Sequence, residues 1–364
     1  MWRARQADDD LRRDAVGLDH DDGDWALVPV PGHWRSTAAF AHSDGPLLYR
    51  HRFELDALPA GRRQFVTLDG VFYQADVWLD GAYLGDPEGY FFPHTFEITG
   101  LSGLGSEHVL AVEVACAAQR QRTAKRNITG LFQHWDCADP AWNPGGLWRS
   151  VRVHTTGPVR VDRLRVLCRD VNDARAHLRL RARLDADAPR TVVVRTLVDG
   201  FEAATQETSL AQGSNDVAWT LDIDDPRLWW PWSMGEQALT TVTVEVDVDG
   251  AVSDGRDVRT GLREVAVQNW AFSINGERMF MKGACLAPTQ LALGEATPEA
   301  VRADIVAARD AGLDLVRVVG HIGRPELYAA ADELGMLVWQ DFPLQWGYAR
   351  SIRHQATRLS LIHI

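Results

Sequence analysis

The chain has 364 residues, 46% of them hydrophobic, which is ample for two or three packed domains. Its 38 Lys and Arg stand against 50 Asp and Glu, a formal charge of −12, and no basic patch is visible along the sequence, so nucleic acid is excluded as a partner. No apolar run reaches membrane-spanning length, and Met1-Trp2-Arg3-Ala4-Arg5 runs into Asp8-Asp9-Asp10 without the apolar segment of a signal peptide, so no membrane partner and a cytoplasmic setting are expected.

From the start to about residue 265 the apolar residues recur every second position. Ala75, Val77 and Leu79 alternate with Asp76, Trp78 and Asp80 before an Asp80-Gly81 turn. Leu178, Leu180, Ala182 and Leu184 alternate with Arg179, Arg181 and Arg183, and Val242, Val244, Val246 and Val248 with Thr243, Glu245 and Asp247 before Asp249-Gly250. Such strands have one dry and one wet face, as in antiparallel sandwiches. Near Gly157-Pro158 a Trp- and Gly-rich first half gives way to plain Val, Arg, Asp and Thr strands. The boundary falls there, giving one sandwich over 1–157 and a smaller, immunoglobulin-like one over 158–265.

After residue 270 the period changes. Phe280–Ala284 reads as a strand. Thr297-Pro298-Glu299 supplies an N-cap, an N1 proline and an early acid for a helix through Val301, Ile305 and Ala308 to Gly312. Leu313–Val319 is a strand, Pro325–Gly335 a helix with Leu327, Ala331 and Leu334 on one face, and Met336–Asp341 another strand. Strand, helix, strand, helix, strand opens a parallel α/β unit over 266–364. That stretch is too short for a closed (β/α)8 barrel, which takes about 250 residues. Leu359–Ile364 is an apolar ending without turn or cap chemistry, and it reads as something other than the native continuation, with an ordinary strand-like terminus as the duller alternative.

Fourteen Trp is a high count, and indole faces either fill cores or stack on sugar rings. Cys116, Cys137, Cys168 and Cys285 are widely spaced without C-x-x-C, which argues against structural zinc and a disulfide framework; no metal or cofactor is expected.

The order of modules and a series of motifs resemble the family 2 glycoside hydrolases. Val30–Trp34, Tyr49–Phe53, Leu68–Gly81, Tyr83-Leu-Gly85, Phe96–Thr99 and Asn143–Arg149 follow the order of that family's jelly-roll sugar-binding domain. Leu228–Trp232, Thr260–Arg263, Phe272–Gly276, Met281–Ala284, Val316–Val319, Asp332–Gly335 and Val338–Phe342 are similar to its later segments. The resemblance implies a multidomain, mainly β chain: a jelly-roll β-sandwich, an immunoglobulin-like β-sandwich, then the first strands and helices of an incomplete (β/α)8 TIM barrel. It implies a retaining β-glycosidase with two carboxyl groups about 5 to 5.5 Å apart, here two glutamates on later barrel strands beyond this chain. No catalytic residue is therefore assigned, and the polypeptide by itself is expected to be inactive.

The surviving part of the site is a substrate-binding wall. Active sites of such barrels sit at the C-terminal ends of the strands, which selects Arg317, Trp339 and Asp341. The loop holding Gln133-His-Trp-Asp136 aligns with the family loop that reaches from jelly roll to barrel mouth; in the β-mannosidase branch it carries a Trp-Asp pair, so Trp135 and Asp136 are carried over, with Asp139 as an alternative acid. The bland readings are a structural ion pair for Arg317, core packing for Trp339 and a capped surface loop for 133–139. His33 and Trp34 are expected to pack between sandwich sheets and Trp229, Trp230 and Trp232 to brace the second sandwich against its neighbours. A Val319-Gly-His-Ile-Gly323 segment stands where the β-mannosidase branch has Trp and glycines. A β-mannosidase-like or glucosaminidase-like enzyme is favoured over β-galactosidase or β-glucuronidase activity, with a noncatalytic carbohydrate-binding or scaffold protein as the alternative. The partner is a carbohydrate substrate; the sequence does not decide the oligomeric state.

Overall fold

The structure is a computed structural model that describes residues 1–101, 105–118, 130–133, 139 and 141–343. The chain is mainly β. In the first part a six-stranded sheet, ordered Ala26–Val28, Trp2–Gln6, Leu47–Glu54, Glu107–Ala115, Gln74–Leu79, Ala82–Gly85, faces a three-stranded sheet of His94–Glu97, Arg63–Leu68 and Val151–Thr156. The alternation read from Gln74–Leu79 holds: Ala75, Val77 and Leu79 enter the main core with Tyr49, Val66, Leu68, Phe72 and Trp148. Trp78 does not face solvent as its place among the polar positions implies; it packs with Trp25, Leu48 and Ala15 on the sheet's other side, beneath the short helix Asp9–Asp14.

The next strand, Val159–Val171, lies in a different sheet, with Arg175–Ala186 and Gly213–Asp224; Phe201–Leu210, Arg190–Val198, Thr240–Val248 and Ala251–Thr260 form the sheet opposite. Leu178, Leu180, Ala182, Leu184, Val242, Val244 and Val246 are all fully buried between them. Asp80-Gly81, Asp199-Gly200, Asp249-Gly250 and Asn275-Gly276 have positive φ at both residues, the conformation that lets a two-residue turn follow the twist of its strands.

A small meander of Val265–Gln268, Ala271–Ile274 and Glu277–Met279 leads to three parallel strands, Gly283–Leu286, Leu315–Val318 and Leu337–Gln340. The first begins later than its apolar pattern implies: Phe280 is 87% exposed and lies outside the ladder. Helices Pro298–Asp310 and Pro325–Leu334 connect these strands. Thr297 caps the first by accepting the Ala300 amide, and Gly335, left-handed, ends the second. Ile305, Leu327, Ala330 and Ala331 bury against Val316 and Val318 on one face of the sheet, as the opening of a (β/α)8 barrel requires. Leu359–Ile364 lies outside the described residues.

Candidate substrate-binding face

With both helices on one side, the opposite face of the parallel sheet is open. Parallel register sets Cys285, Arg317 and Trp339 directly beside one another, with Gly283, Leu315 and Leu337 in the row below. Because side chains alternate along a strand, Val316 and Val318 face the helices while Leu315 and Arg317 face away. A groove of about 320 Å³ runs along this row, lined by Phe272, Met281, Leu315, Arg317 and Trp339 among others. Trp339 is 54% exposed and is not a core residue. Cys285 is exposed too, with its thiol free.

Asp341 follows Trp339 by two residues and returns to the same face. Arg317 Nε and Nη2 donate to its two carboxylate oxygens, both at 2.9 Å, a fork that fixes each group by the other. Hydrogen bonding to Asp341 raises the guanidinium above its ordinary range. The ion-pair reading of Arg317 is therefore realised, on an open face at a strand end. The Asp341 amide is held by the Val318 carbonyl at 3.1 Å. Behind it, Gln340 donates to the His321 and Asp341 carbonyls at 2.6 and 2.7 Å and accepts from the Tyr328 hydroxyl at 2.6 Å. The departure noted at Val319–Gly323 is thus a loop pinned by Gln340 and Tyr328, a role nothing in its composition signals.

The first sandwich reaches this end of the sheet. Gly130–Gln133 forms a 3-10 turn in which the Leu131 amide donates to the Gly320 carbonyl at 2.7 Å. Gly130 has φ +54°, and a Cβ there would stand 1.9 Å from the Gly320 oxygen, so only glycine permits the approach. Phe132 anchors the turn in the sandwich core, edge-on to Phe72 with ring centroids 5.4 Å apart. Trp135 and Asp136, which follow this turn, lie outside the described residues. Asp139 is exposed and its carboxylate accepts the Ala141 amide at 2.9 Å, the capped-turn role.

His33 departs from the expected packing between sheets. It is 2% exposed; Nδ1 donates to the Pro144 carbonyl while Nε2 accepts the Gly294 amide at 3.1 Å, so the ring bridges the sandwich to the loop after the first parallel strand. Burial pushes this imidazole down to about 4. Trp34 does fill the sandwich core.

The second sandwich grips the other end of the sheet. Trp229, fully buried, donates to the Asp332 carbonyl at 2.7 Å, Trp232 to the Leu313 carbonyl at 2.8 Å, and Ser233 to Asp314 at 2.6 Å. Arg263 lies over the Trp229 ring at 4.2 Å and pairs with Asp332 at 3.0 Å. Leu313-Asp314 leads into the second parallel strand and the helix end at Asp332 into the third, so the brace expected of the Trp cluster acts at their N-terminal ends.

A parallel α/β sheet held at its N-terminal ends by one sandwich and met at its C-terminal ends by another defines a modular, mainly β protein with a barrel-like opening unit. Comparison with known proteins names it more closely. Residues 159–263 match the family described as Glycosyl hydrolases family 2, and residues 36–154 match the Glycosyl hydrolase 2 galactose-binding domain-like family. Beta-mannosidase B of Emericella nidulans is 27% identical over 336 residues, covering 81% of this chain and 38% of that protein. An exo-beta-D-glucosaminidase of Streptomyces avermitilis is 28% identical over 312 residues, covering 80% and 33%. Among solved structures, a beta-glucuronidase from glycoside hydrolase family 2 has a TM-score of 0.79 at 19% identity, covering 98% of this chain and 40% of that one. The Amycolatopsis orientalis exo-chitosanase has a TM-score of 0.77 at 22% identity, covering 93% and 43%. The chain belongs to glycoside hydrolase family 2, and it spans about two fifths of the length of the curated relatives it matches.

Proposed function

We propose that this chain supplies the accessory domains, 1–157 and 158–265, and the first barrel strands, within 266–364, of a retaining β-glycosidase that removes terminal β-linked sugars in the cytoplasm, β-mannosides or β-glucosaminides before others. In this reading Trp339 stacks on a sugar face, Asp341 accepts a sugar hydroxyl, Arg317 orients Asp341 or a nucleophilic carboxylate, and Trp135 and Asp136 complete the wall from the sandwich side. The acid/base and nucleophile come from barrel strands outside this chain. The observation that carries the reading is the Leu131 to Gly320 hydrogen bond, which brings the turn immediately before 134–138 to the C-terminal end of the second parallel strand, where such barrels do their chemistry. The free thiols of Cys116, Cys168 and Cys285 fit a reducing compartment.

Titration calorimetry with β-1,4-mannobiose and chitosan disaccharide tests it. Binding that weakens at least tenfold in Trp339→Ala, together with no release of nitrophenol from nitrophenyl β-mannoside, is expected. Binding indifferent to Trp339 and Asp341 refutes the wall, and hydrolysis by the 364-residue chain refutes the assignment of catalysis elsewhere.

A further inference from the structure

The second sandwich carries a charge arrangement that the proposed function does not use. Along the outer face of Val159–Val171 and Arg175–Ala186, Arg165 stands directly opposite Arg181, Leu167 opposite Arg179, and Arg163 opposite Arg183. Residues directly opposite on an antiparallel pair lie about 5 Å apart, and like charges so placed are unfavourable. At the end of the row Arg183 is relieved by Asp216 at 3.3 Å. Arg165, Arg169, Arg179 and Arg181 form no ion pair with any of the described residues. Partial burial, and then the neighbouring Arg181, Arg163 and Arg179, press the Arg165 guanidinium below its ordinary range. The other sheet of the same sandwich differs: there Arg195 sits between Glu245 at 2.8 Å and Asp247 at 2.9 Å. Four arginines without an ion partner among the described residues are thus gathered on one face of one sheet, in a chain of net charge −12.

The four arginines and Leu167 line a shallow groove of about 170 Å³. Leu167, 37% exposed, is its one apolar element. We propose that this groove binds an anionic polysaccharide, a chain of uronate rings whose carboxylates take the Arg165, Arg169, Arg179 and Arg181 forks while a ring face lies on Leu167. Guanidinium forks match carboxylates two bonds at a time, and stiff rings lose less freedom on binding than an extended peptide does. A single-stranded phosphodiester chain is disfavoured by the lack of an aromatic platform among the lining residues. The choice of saccharide rests on the family's carbohydrate chemistry; the groove lies apart from Arg317 and Trp339, so the two sites fail independently.

Affinity electrophoresis of the full chain through gels holding polygalacturonate tests it, with neutral galactan, poly-glutamate and duplex DNA as parallel gels. Retardation by polygalacturonate alone is expected, lost at about 1 M salt, where the Debye length is about 3 Å. Arg165→Ser/Arg181→Ser is expected to lower apparent affinity tenfold or more, with an unchanged or higher Tm because like-charge repulsion is removed, and Arg165→Lys/Arg181→Lys, which keeps the charge and loses the fork, to fall between the two. Absence of retardation, retardation unaltered in the Ser variant, or equal retardation by poly-glutamate or DNA overturns the proposal. Loss of mannobiose binding in Trp339→Ala with polygalacturonate retardation intact separates this groove from the barrel face.

Discussion

His33 makes the junction between the first sandwich and the parallel sheet sensitive to acid. Its two hydrogen bonds need a neutral ring, with Nδ1 protonated toward Pro144 and Nε2 bare toward the Gly294 amide. A second proton would set two donors facing each other in a site 2% exposed. The imidazole titrates at 6.5 when unfolded and at about 4 in the folded chain, with burial the main cause and the Pro144 carbonyl and Glu295 opposing it. Between those values the unfolded chain holds more protons, so this contribution to stability is full above 6.5 and is lost as pH falls from 6.5 through 4. At 1.36 kcal/mol per unit, the whole window is worth about 3 kcal/mol, of which about 2 kcal/mol is gone by pH 5. Urea unfolding of the chain and of His33→Asn, from pH 7 to pH 5, measures this. Asn keeps a nitrogen donor near Nδ1, cannot take up a proton, and leaves the Gly294 amide unpaired, a cost of about 1–3 kcal/mol at pH 7. The chain should then lose about 2 kcal/mol more than the variant over that range. His154, also pushed down to about 4, chiefly by burial, is common to both proteins and cancels in the comparison. Parallel pH profiles for the two would refute the buried neutral bridge.

Gly130→Ala places a methyl group 1.9 Å from the Gly320 oxygen at φ +54°, so the turn should leave the strand end, at a cost of about 1–3 kcal/mol; faster hydrogen exchange at the Leu131 amide, with sandwich-core amides unchanged, checks it. Trp229→Ala empties a fully buried indole site and orphans the Asp332 carbonyl, and about 3–5 kcal/mol should be lost on thermal unfolding; a drop below 1 kcal/mol would mean that the Trp cluster does not brace the sheet. Arg317→Lys replaces the fork on Asp341 by a single ammonium on a half-exposed face. The melting temperature should stay unchanged, as for exposed ion pairs, while mannobiose affinity falls; an equal loss of both would make the pair structural.

Several local features of this protein are legible in its sequence. Leu178 to Leu184 and Val242 to Val248 alternate because a sandwich strand has one dry face. Asp80-Gly81 and Asp249-Gly250 close hairpins because those residues tolerate positive φ, and Thr297-Pro298 and Gly335 bound helices through caps that act within one turn. Arg317, Trp339 and Asp341 were legible as candidates because they stand at strand ends. Other features were not. Trp78 reads as a wet-face residue and is covered by a helix formed far upstream in the chain. The strand expected from Phe280 starts at Gly283, since ladder bonds with Leu315–Val318, and not apolarity, set its first residue.

Amino-acid order settles whatever depends on neighbours a few positions apart: the period of each segment, its turns, its caps and the order of the modules. Which surfaces meet is settled in the folded chain. Gly130 has a reason to be glycine because of Gly320, His33 is neutral because of Pro144 and Gly294, and the sandwiches hold opposite ends of one sheet through contacts that join distant parts of the chain. The arginine groove is of the same kind. Arg165 and Arg181 are each an unremarkable polar position in an alternating strand, and they become one uncompensated charge cluster because hairpin register, with its bulge between Val161 and Arg163, sets them side by side. Register and docking depend on the summed packing of whole elements, which no short window of sequence contains.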